Sequence, residues 1–259
     1  MSERVRGKVY LVGAGPGAAD LLTVRAVRLL AEADIVFHDA LVPAEILAHA
    51  ARAELVAVGK RCGKHATAQR FINKRLVDAA RKHRVIVRLK GGDPMVFGRA
   101  QEEIDALHAA GIEVEVVPGV TAALAAAADL GVSLTRRGRS RNVVFATPRV
   151  GDGEVASDWA APLAHADTAV IYMGAGEADA ITARLLALGK PASLPVVAVE
   201  NASLPGSRRW FSTLGELPRL AAEAFQGPVI VLLGEVLAEA AERDALVRAA
   251  AARLVRSGT

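Results

Sequence analysis

The chain has 259 residues, of which 52% are hydrophobic and only 4% aromatic, and its formal net charge is +4 at pH 7. That length allows one large domain or two modest ones, with a core built from Ala, Val and Leu. No apolar run reaches the roughly 18 residues of a membrane span, and the N-terminus lacks the apolar segment of a secretory signal. The single cysteine, Cys62, excludes an intramolecular disulfide. We therefore expect a cytoplasmic protein without membrane contact.

The first half of the chain alternates apolar runs with helical patterns. The apolar runs predict strands over residues 9–12, 35–37, 55–58, 85–89 and 114–117. The helical patterns predict helices over residues 21–31, 44–49, 68–81, 102–110 and 121–130. Such alternation indicates an α/β domain with a mainly parallel sheet covered by helices.

The second half has a different character. Residues 133–141 are predicted to be a linker that separates an N-terminal α/β domain (1–132) from a C-terminal α/β domain (142–259). The predicted strands of the second domain are 143–146, 169–173, 196–200, 209–212 and 229–233, with a C-terminal helix over 237–256. Trp210 and the residues after it favour antiparallel pairing, so we expect a mixed second sheet.

The strongest functional signal is the stretch from Arg88 to Arg99, RLKGGDPMVFGR, which directly follows the apolar run 85–87. Its glycines let a ligand approach the main chain, and open α/β sheets bind ligands at the carboxyl ends of their strands. A second glycine loop, residues 13–17, follows the first strand, so the two loops predict one crevice. Asp93 could also be an ordinary turn residue, but Lys90 and Arg99 beside it favour a binding site.

The first glycine loop admits another interpretation. Gly13-Ala14-Gly15-Pro16-Gly17-Ala18 matches the loose dinucleotide fingerprint, with Asp39 as a possible ribose-binding acid. In such sites the helix begins directly at the glycines, whereas three further residues precede the apolar helical pattern here. NAD binding is therefore the weaker interpretation, and Asp39 could equally cap the helix that starts near Pro43.

Arginines dominate the region between residues 132 and 150, which contains no acidic residue: Arg136, Arg137, Arg139, Arg141 and Arg149. A solvated linker would explain them, but arginine also recognises carboxylates and phosphates through forked hydrogen bonds. An anionic substrate or nucleic acid is therefore the alternative to a linker, although few aromatic residues are available to stack on bases. The six histidines and Cys62 show no metal-ligand spacing, so we expect no metal.

Six motifs carry a resemblance to a known family: residues 9–17 (VYLVGAGPG), 58–61 (VGKR), 87–94 (VRLKGGDP), 97–99 (FGR), 118–122 (PGVTA) and 172–174 (YMG). Together they resemble the tetrapyrrole methylases, over about residues 8–236. The combination of VGKR, VRLKGGDP and FGR is similar to the branch of that family that methylates uroporphyrinogen III.

The resemblance implies two α/β domains with the active site in the trough between them, a homodimer, and S-adenosylmethionine as methyl donor. It implies methylation of uroporphyrinogen III at C2 and C7, giving precorrin-2 via precorrin-1 for sirohaem, cobalamin or haem d1. A related methyltransferase for a later corrin intermediate or RNA is the alternative. Because the chain starts at the first methylase strand, we expect it to lack the dehydrogenase and chelatase activities of bifunctional relatives.

By motif matching, the resemblance assigns donor contacts to Pro16, Gly91, Gly92, Asp93, Val96, Thr121, Ala122, Met173 and Ala202. It suggests Asp39 as proton acceptor and Lys60 as proton donor, with Arg99 and Glu102 as competing acid–base candidates. Arg61, Lys64, Arg136 and Arg149 are expected to bind the substrate's carboxylates. The chain departs from the family pattern at Arg136 and at Pro148-Arg149, where histidines are frequent, and at Ala202, where glycine is common. On pattern alone, Met173 would be a core residue.

Overall fold

The computed structural model describes residues 7–58, 65–151, 155 and 157–257. The chain divides into two compact units, Met1–Ala122 and Ala123–Thr259. Within the described residues, each unit contains one five-stranded sheet. The stretch predicted as a linker lies in the second unit, where Arg136 and Ser140 close a short turn through an antiparallel bridge.

The first unit is a parallel sheet with helices on both faces. Its strands are β1 (Lys8–Gly13), β2 (Ile35–His38), β3 (Glu54–Ala57), β4 (Val85–Lys90) and β5 (Val114–Val117). Its helices are α1 (Val24–Glu32), α2 (Ala44–Leu47), α3 (His65–Ala79) and α4 (Ala100–Ala109). The strand order is β3-β2-β4-β1-β5, and all the neighbours pair in parallel. The predicted parallel sheet is confirmed.

Alternation along the strands divides the core of this unit into two layers. Val12, Val36 and Leu89 belong to the layer that packs on α1 and α2. Leu11 and Phe37 belong to the layer that packs on α3 and α4. Because successive side chains of a strand point to opposite faces, β1, β2, β4 and β5 each contribute to both layers.

The second unit contains the helices α5 (Ala122–Leu130), which starts at the last residue of the first unit, α6 (Ala160–His165), α7 (Ala178–Ala187) and α8 (Ala238–Ser257). Its strands are β6 (Val143–Ala146), β7 (Thr168–Tyr172), β8 (Pro195–Glu200), β9 (Arg208–Thr213) and β10 (Val229–Gly234). The order is β6-β7-β10-β8-β9, in which only β6 and β7 are parallel neighbours among these strands. Trp210 pairs with Ala198 in an antiparallel ladder, so the predicted mixed sheet is confirmed.

Strand direction determines which loops share an edge. In the first unit the parallel strands all end at one edge. In the second unit β7 and β8 both run antiparallel to β10, where Tyr172 pairs with Ile230 and Glu200 with Val229. The segments after β7 and β8 therefore leave the second sheet at the same edge. In the described part of the chain, no helix combines the length and the apolarity that crossing a bilayer requires.

Candidate active site

Three loops meet through their main chains at the carboxyl edge of the first sheet. Gly15 and Gly92 form an antiparallel bridge, in which the Gly92 amide donates to Gly15 O at 2.7 Å and the Gly15 amide donates to Gly92 O at 3.2 Å. A Cβ added to Gly13 would lie 2.6 Å from Gly119 Cα, and one added to Gly119 would collide with the Gly92 carbonyl oxygen. The loops after β1, β4 and β5 can approach this closely only because these positions lack side chains.

Asp93 fastens two of these loops together. Its Oδ2 accepts a hydrogen bond from the Gly119 amide at 2.9 Å, and its Oδ1 accepts one from the Met95 amide at 2.8 Å. The Val96 amide donates to the Asp93 carbonyl at 3.2 Å, which closes a tight turn. Asp93 is therefore a turn residue and, at the same time, the side chain that ties the β4 loop to the β5 loop.

The remaining donor candidates of the first unit lie beside this arrangement. Gly91 is exposed, and a Cβ on it would meet nothing within 4 Å. Gly92 adopts φ +67°, in the left-handed region that favours glycine, and a Cβ there would lie 3.9 Å from Thr121 Cα. Thr121 itself is buried, and Pro16 directly follows the bridged Gly15. The structure thus brings Gly91, Gly92, Asp93 and Thr121 together at one edge.

A buried charge cluster lies behind Asp39, and sequence reasoning missed it. Arg88 Nη2 donates to Asp39 Oδ1 at 2.6 Å, and Arg88 Nε donates to Glu103 Oε1 at 3.1 Å. Lys90 Nζ donates to both oxygens of Glu103 at 3.1 Å, and Gln69 Nε2 donates to Oε1 at 3.2 Å. The side chains of Arg88, Lys90 and Glu103 are almost completely buried, whereas that of Asp39 is 34% exposed. Asp39 is therefore the member that can meet a ligand.

The sequence places these charges by simple periodicity. Arg88 and Lys90 are two residues apart on β4, so both project to the same face as Ile86, the face that α3 and α4 cover. Burial, followed by the neighbouring positive charge of Arg88, lowers the pKa of Lys90 below its usual value. Although burial opposes its charged form, the carboxylates of Glu103 and Asp39 raise the pKa of Arg88. The signal for this cluster in the sequence was a pair of cations, two residues apart, in an otherwise apolar strand.

Arg99 and Glu102 form an ion pair at the start of α4. Arg99 Nε and Nη2 donate to Glu102 Oε1 and Oε2 at 2.6 and 2.8 Å, and both side chains are about half exposed. Arg99 precedes the helix with φ +54°, and Phe97 has φ +51°. Backbone dihedrals of this kind are strained for residues other than glycine, and they persist only where the surrounding structure enforces them. The other basic candidates of this unit, Lys60, Arg61 and Lys64, lie outside the described residues.

The second unit holds Met173 and Ala202 at the shared edge of β7 and β8. Met173 is 45% exposed and has φ +55°. The expectation, from its sequence pattern alone, that Met173 is a core residue is therefore wrong. The strand ends at Tyr172, and the left-handed turn directs Met173 away from the core. Ala202 is buried and lies between Asn201 and Ser203, with φ +52° and +74°.

The basic candidates of the second unit are exposed. Arg136 and Arg139 donate to the same carboxylate oxygen of Glu239, in the first turn of α8, at 2.6 and 3.1 Å. The hydrogen bond from Arg136 lowers the pKa of Glu239. Arg149 is exposed, and its amide donates to Thr147 Oγ1 at 3.2 Å. Among the residues that the structure describes, no group of three or more His, Cys, Asp or Glu could hold a metal ion.

Comparison with known proteins connects these features to a family. Residues 8–218 match the Tetrapyrrole (Corrin/Porphyrin) Methylases. The chain is 47% identical over 231 residues to the uroporphyrinogen-III C-methyltransferase of Pseudomonas aeruginosa PAO1, covering 89% of this chain and 94% of that protein. It is 45% identical over 233 residues to the siroheme synthase of Azotobacter vinelandii, covering 89% of this chain and 50% of that protein. The chain therefore spans about half the length of the siroheme synthases that it matches.

Solved structures agree with the sequence matches. The uroporphyrin-III C-methyl transferase of Thermus thermophilus, complexed with S-adenyl homocysteine, superposes with a TM-score of 0.77 at 42% identity, covering 89% of this chain and 99% of that chain. A cobalt precorrin-4 methyltransferase superposes with a TM-score of 0.77 at 27% identity, covering 89% and 95%. Motifs, fold and relatives agree, and the chain belongs to the tetrapyrrole methylase family.

Proposed function

We propose that the protein transfers methyl groups from S-adenosylmethionine to C2 and C7 of uroporphyrinogen III, giving precorrin-2 by way of precorrin-1. One observation carries this proposal. The glycine loops that meet at the carboxyl edge of the first sheet belong to a chain with 47% identity to a uroporphyrinogen-III C-methyltransferase over nearly all of that protein. Open α/β sheets bind their ligands at such edges.

The residues at this edge fit the methyl donor. Gly91 presents main chain with open space around it, so a bulky nucleoside can approach the backbone without meeting a side chain. The exposed main chain of Gly91 supplies neutral hydrogen-bonding groups, which suit a ribose and an adenine. We propose that Pro16, Val96, Ala122, Met173 and Ala202 complete the donor contacts.

Methyl transfer requires that the two reactants are correctly oriented, and it does not require a covalent nucleophile. The bound donor supplies a methyl group that its sulfonium already activates. The protein must hold the pyrrole carbon in line with that methyl group, and such positioning alone lowers a barrier by several kcal/mol, up to about 7–11 kcal/mol in well-oriented systems. The Asp93 bonds to Gly119 and Met95 keep the donor loops in one geometry, so they serve this requirement.

A base is needed once the carbon has been methylated. We propose Asp39 as the proton acceptor, because it is the partly exposed carboxylate of its cluster and Arg88 fixes it at 2.6 Å. A carboxylate at hydrogen-bonding distance can take the pyrrole proton in this step. Lys60 remains the proposed proton donor. Arg99 stays charged at any physiological pH, so binding of a substrate carboxylate suits it better than proton transfer.

Charge supports a polycarboxylate substrate. Uroporphyrinogen carries eight carboxylates, and we propose that Arg61, Lys64, Arg136 and Arg149 bind some of them. Arg136 and Arg149 are exposed in the second unit, and arginine binds carboxylates through two parallel hydrogen bonds. We further propose a cytoplasmic homodimer. The single cysteine is typical of a reducing compartment, and light scattering of the purified protein measures the oligomeric state.

One incubation tests the proposed function. The purified protein is mixed anaerobically with uroporphyrinogen III and methyl-labelled S-adenosylmethionine, and the products are followed by mass spectrometry and absorbance. We expect two labelled methyl groups on each tetrapyrrole and two molecules of S-adenosylhomocysteine released per tetrapyrrole. Parallel incubations with a later corrin intermediate and with ribosomal RNA cover the alternative substrates. Label in one of those and none in uroporphyrinogen III would overturn the proposed substrate.

A further inference from the structure

Helix α5 forms hydrogen bonds near both of its ends. Its partners lie at the end of β7 and in the loop after β8, next to the donor candidates of the second unit. At its beginning, the Ala123 amide donates to the Tyr172 hydroxyl at 3.3 Å. Tyr172 is the last residue of β7, directly before Met173, and its ring packs against Phe145 with the ring centroids 5.8 Å apart. The first attachment therefore concerns the segment of Met173.

The second attachment is stronger and concerns Ala202. Asp129, the penultimate residue of α5, accepts with Oδ2 from the Ser203 amide at 2.8 Å and from the Ser207 hydroxyl at 3.2 Å. Both donors lie in the loop between β8 and β9. Hydrogen bonds with an ionised acceptor are roughly twice as strong as neutral ones, so the carboxylate gives this loop strong support from outside it.

The loop needs such a support. Asn201 and Ser203 both adopt left-handed dihedrals, which cost free energy for residues other than glycine and persist only where the surroundings enforce them. Within the loop, the Leu204 amide bonds to Asn201 O and the Ser207 amide bonds to Leu204 O. These local bonds shape the loop. From outside the loop, the Asn201 amide bonds to Pro228 O at 3.0 Å, and the bond from the Ser203 amide to Asp129 holds the strained residue on the other side of Ala202.

The position of Asp129 is unfavourable for the helix itself. The negative end of a helix dipole lies at its C-terminus, where a carboxylate is repelled. A residue chosen only for helix stability would be neutral or basic there. The bonds to Ser203 and Ser207 supply the compensation, which indicates that the carboxylate acts on the loop and not on the helix.

We infer that Asp129 is a positioning residue for the methyl donor, which holds the Asn201–Ser203 backbone in the conformation that presents Ala202 to the bound molecule. This inference rests on the proposed function. Asp129 does not itself touch the donor in this account. Its removal should therefore weaken donor binding without slowing the methyl transfer of the saturated enzyme.

The test is titration calorimetry with S-adenosylhomocysteine on the full chain. We expect Asp129→Ala to weaken its affinity about tenfold. Asp129→Asn keeps one acceptor oxygen and should recover part of that loss. Ser207→Ala leaves the Ser203 bond intact and should weaken the affinity less than Asp129→Ala does, since it removes only one of the two hydrogen bonds to the carboxylate.

Asp105→Ala is the matched control. Asp105 is an exposed helix carboxylate with a side-chain bond to Gln101 at 2.8 Å, and its removal should leave donor affinity unchanged. Steady-state kinetics of the Asp129 variants should show a raised KM for S-adenosylmethionine, with kcat and the KM for uroporphyrinogen III within about twofold of wild type.

The outcomes separate the inference from the proposed function. If the wild-type protein binds S-adenosylhomocysteine and both Asp129 variants bind it equally well, the inference is wrong and the proposed function stands. A lower melting temperature with unchanged affinity would likewise give Asp129 a purely structural role. If the wild-type protein binds neither S-adenosylhomocysteine nor S-adenosylmethionine, the proposed function fails, and the inference fails with it. Should Asp129→Ala not fold, Asp129→Asn decides by the same criteria.

Discussion

Replacing Glu103 by glutamine probes the buried charge cluster of the first unit. The carboxylate of Glu103 is fully buried and accepts hydrogen bonds from Arg88, Lys90 and Gln69. Glutamine keeps the size of the side chain and removes its charge. Two buried cations then retain only Asp39, which is 34% exposed. The substitution therefore converts a balanced cluster into one with excess buried positive charge.

The expected loss follows from that imbalance. Removing one partner of a buried ion pair costs about 3–5 kcal/mol, because the other charge stays buried without compensation. We expect the free energy of unfolding to fall by about that amount at pH 7. The melting temperature should fall on the order of 10 °C, since each kcal/mol shifts a domain of this size by a few degrees.

The loss should shrink as the pH rises from 7 to 10. The pKa of Lys90 is lowered in the folded protein, whereas the unfolded chain keeps the ordinary value of 10.5. Both contributions of Glu103 oppose this lowering, so the variant should release the Lys90 proton at a lower pH than the wild type. Its folded state then binds fewer protons than its unfolded state over a wider pH range, and its stability rises more steeply with pH.

Urea unfolding followed by circular dichroism at pH 7, 8.5 and 10 measures both effects. Glu102→Gln is the control, because Glu102 is a neighbouring carboxylate that is 48% exposed. Exposed ion pairs contribute less than about 1 kcal/mol, so the control should lose little at any pH. A loss below about 1 kcal/mol for Glu103→Gln, or a loss that stays constant or grows towards pH 10, would refute this account of the cluster.

Four further substitutions test the site. Gly119→Ala should weaken S-adenosylhomocysteine binding at least tenfold, about 1.4 kcal/mol, because its Cβ collides with the Gly92 carbonyl; equal affinity in calorimetry would contradict the close approach of the loops. Asp93→Ala should fold, as circular dichroism can verify, and lose roughly tenfold or more in donor affinity, because it removes the bonds to Gly119 and Met95 that hold the loops in place, and bonds to a charged group are worth about 1.5–3 kcal/mol; unchanged affinity would show that these bonds do not support donor binding. Glu239→Gln should free Arg136 and lower the KM for uroporphyrinogen III, whereas Arg136→Gln should raise it. Both KM effects should shrink with added salt, because the Debye length is about 8 Å at physiological ionic strength, and a KM that neither variant changes would remove Arg136 from the substrate site.

The strands could be predicted closely because they are short apolar runs bounded by turn residues. The predicted strand 114–117 coincides with β5, and 143–146 coincides with β6. The first helix was predicted from residue 21 but begins at Val24. The reason is local: the Ala26 amide donates to Thr23 Oγ1 at 3.1 Å, so Thr23 caps the helix.

The helices of the second unit were harder to predict. α6 has only six residues and contains a proline, so its periodicity is weak. α7 is rich in alanine, which suits helices but gives little contrast between a buried and an exposed face. Neither helix was predicted, although both pack on the core of this unit.

The candidate site could be predicted in part. The spacing of the glycines and of Asp93 identified the loops, because glycines that directly follow a predicted strand are visible in the sequence. The pairing of Arg88 with Asp39 and Glu103 could not be derived, since the partners are 49 and 15 residues away and only the folded sheet brings them together. The bonds of Asp129 to Ser203 and Ser207 span 74 and 78 residues and were hidden for the same reason.

The contact of Gly13, Gly92 and Gly119 has a consequence for anyone who wishes to redesign this protein. At these three positions a side chain would either collide with neighbouring main chain or require a disfavoured backbone conformation, so a mutagenesis library that varies them would consist mostly of inactive members. New substrate preference would have to be sought in the side chains around the loops, with the three glycines held constant. The proposed methyl-donor site would then stay constant, and different macrocycles could be accommodated by exchanging only the residues that surround it.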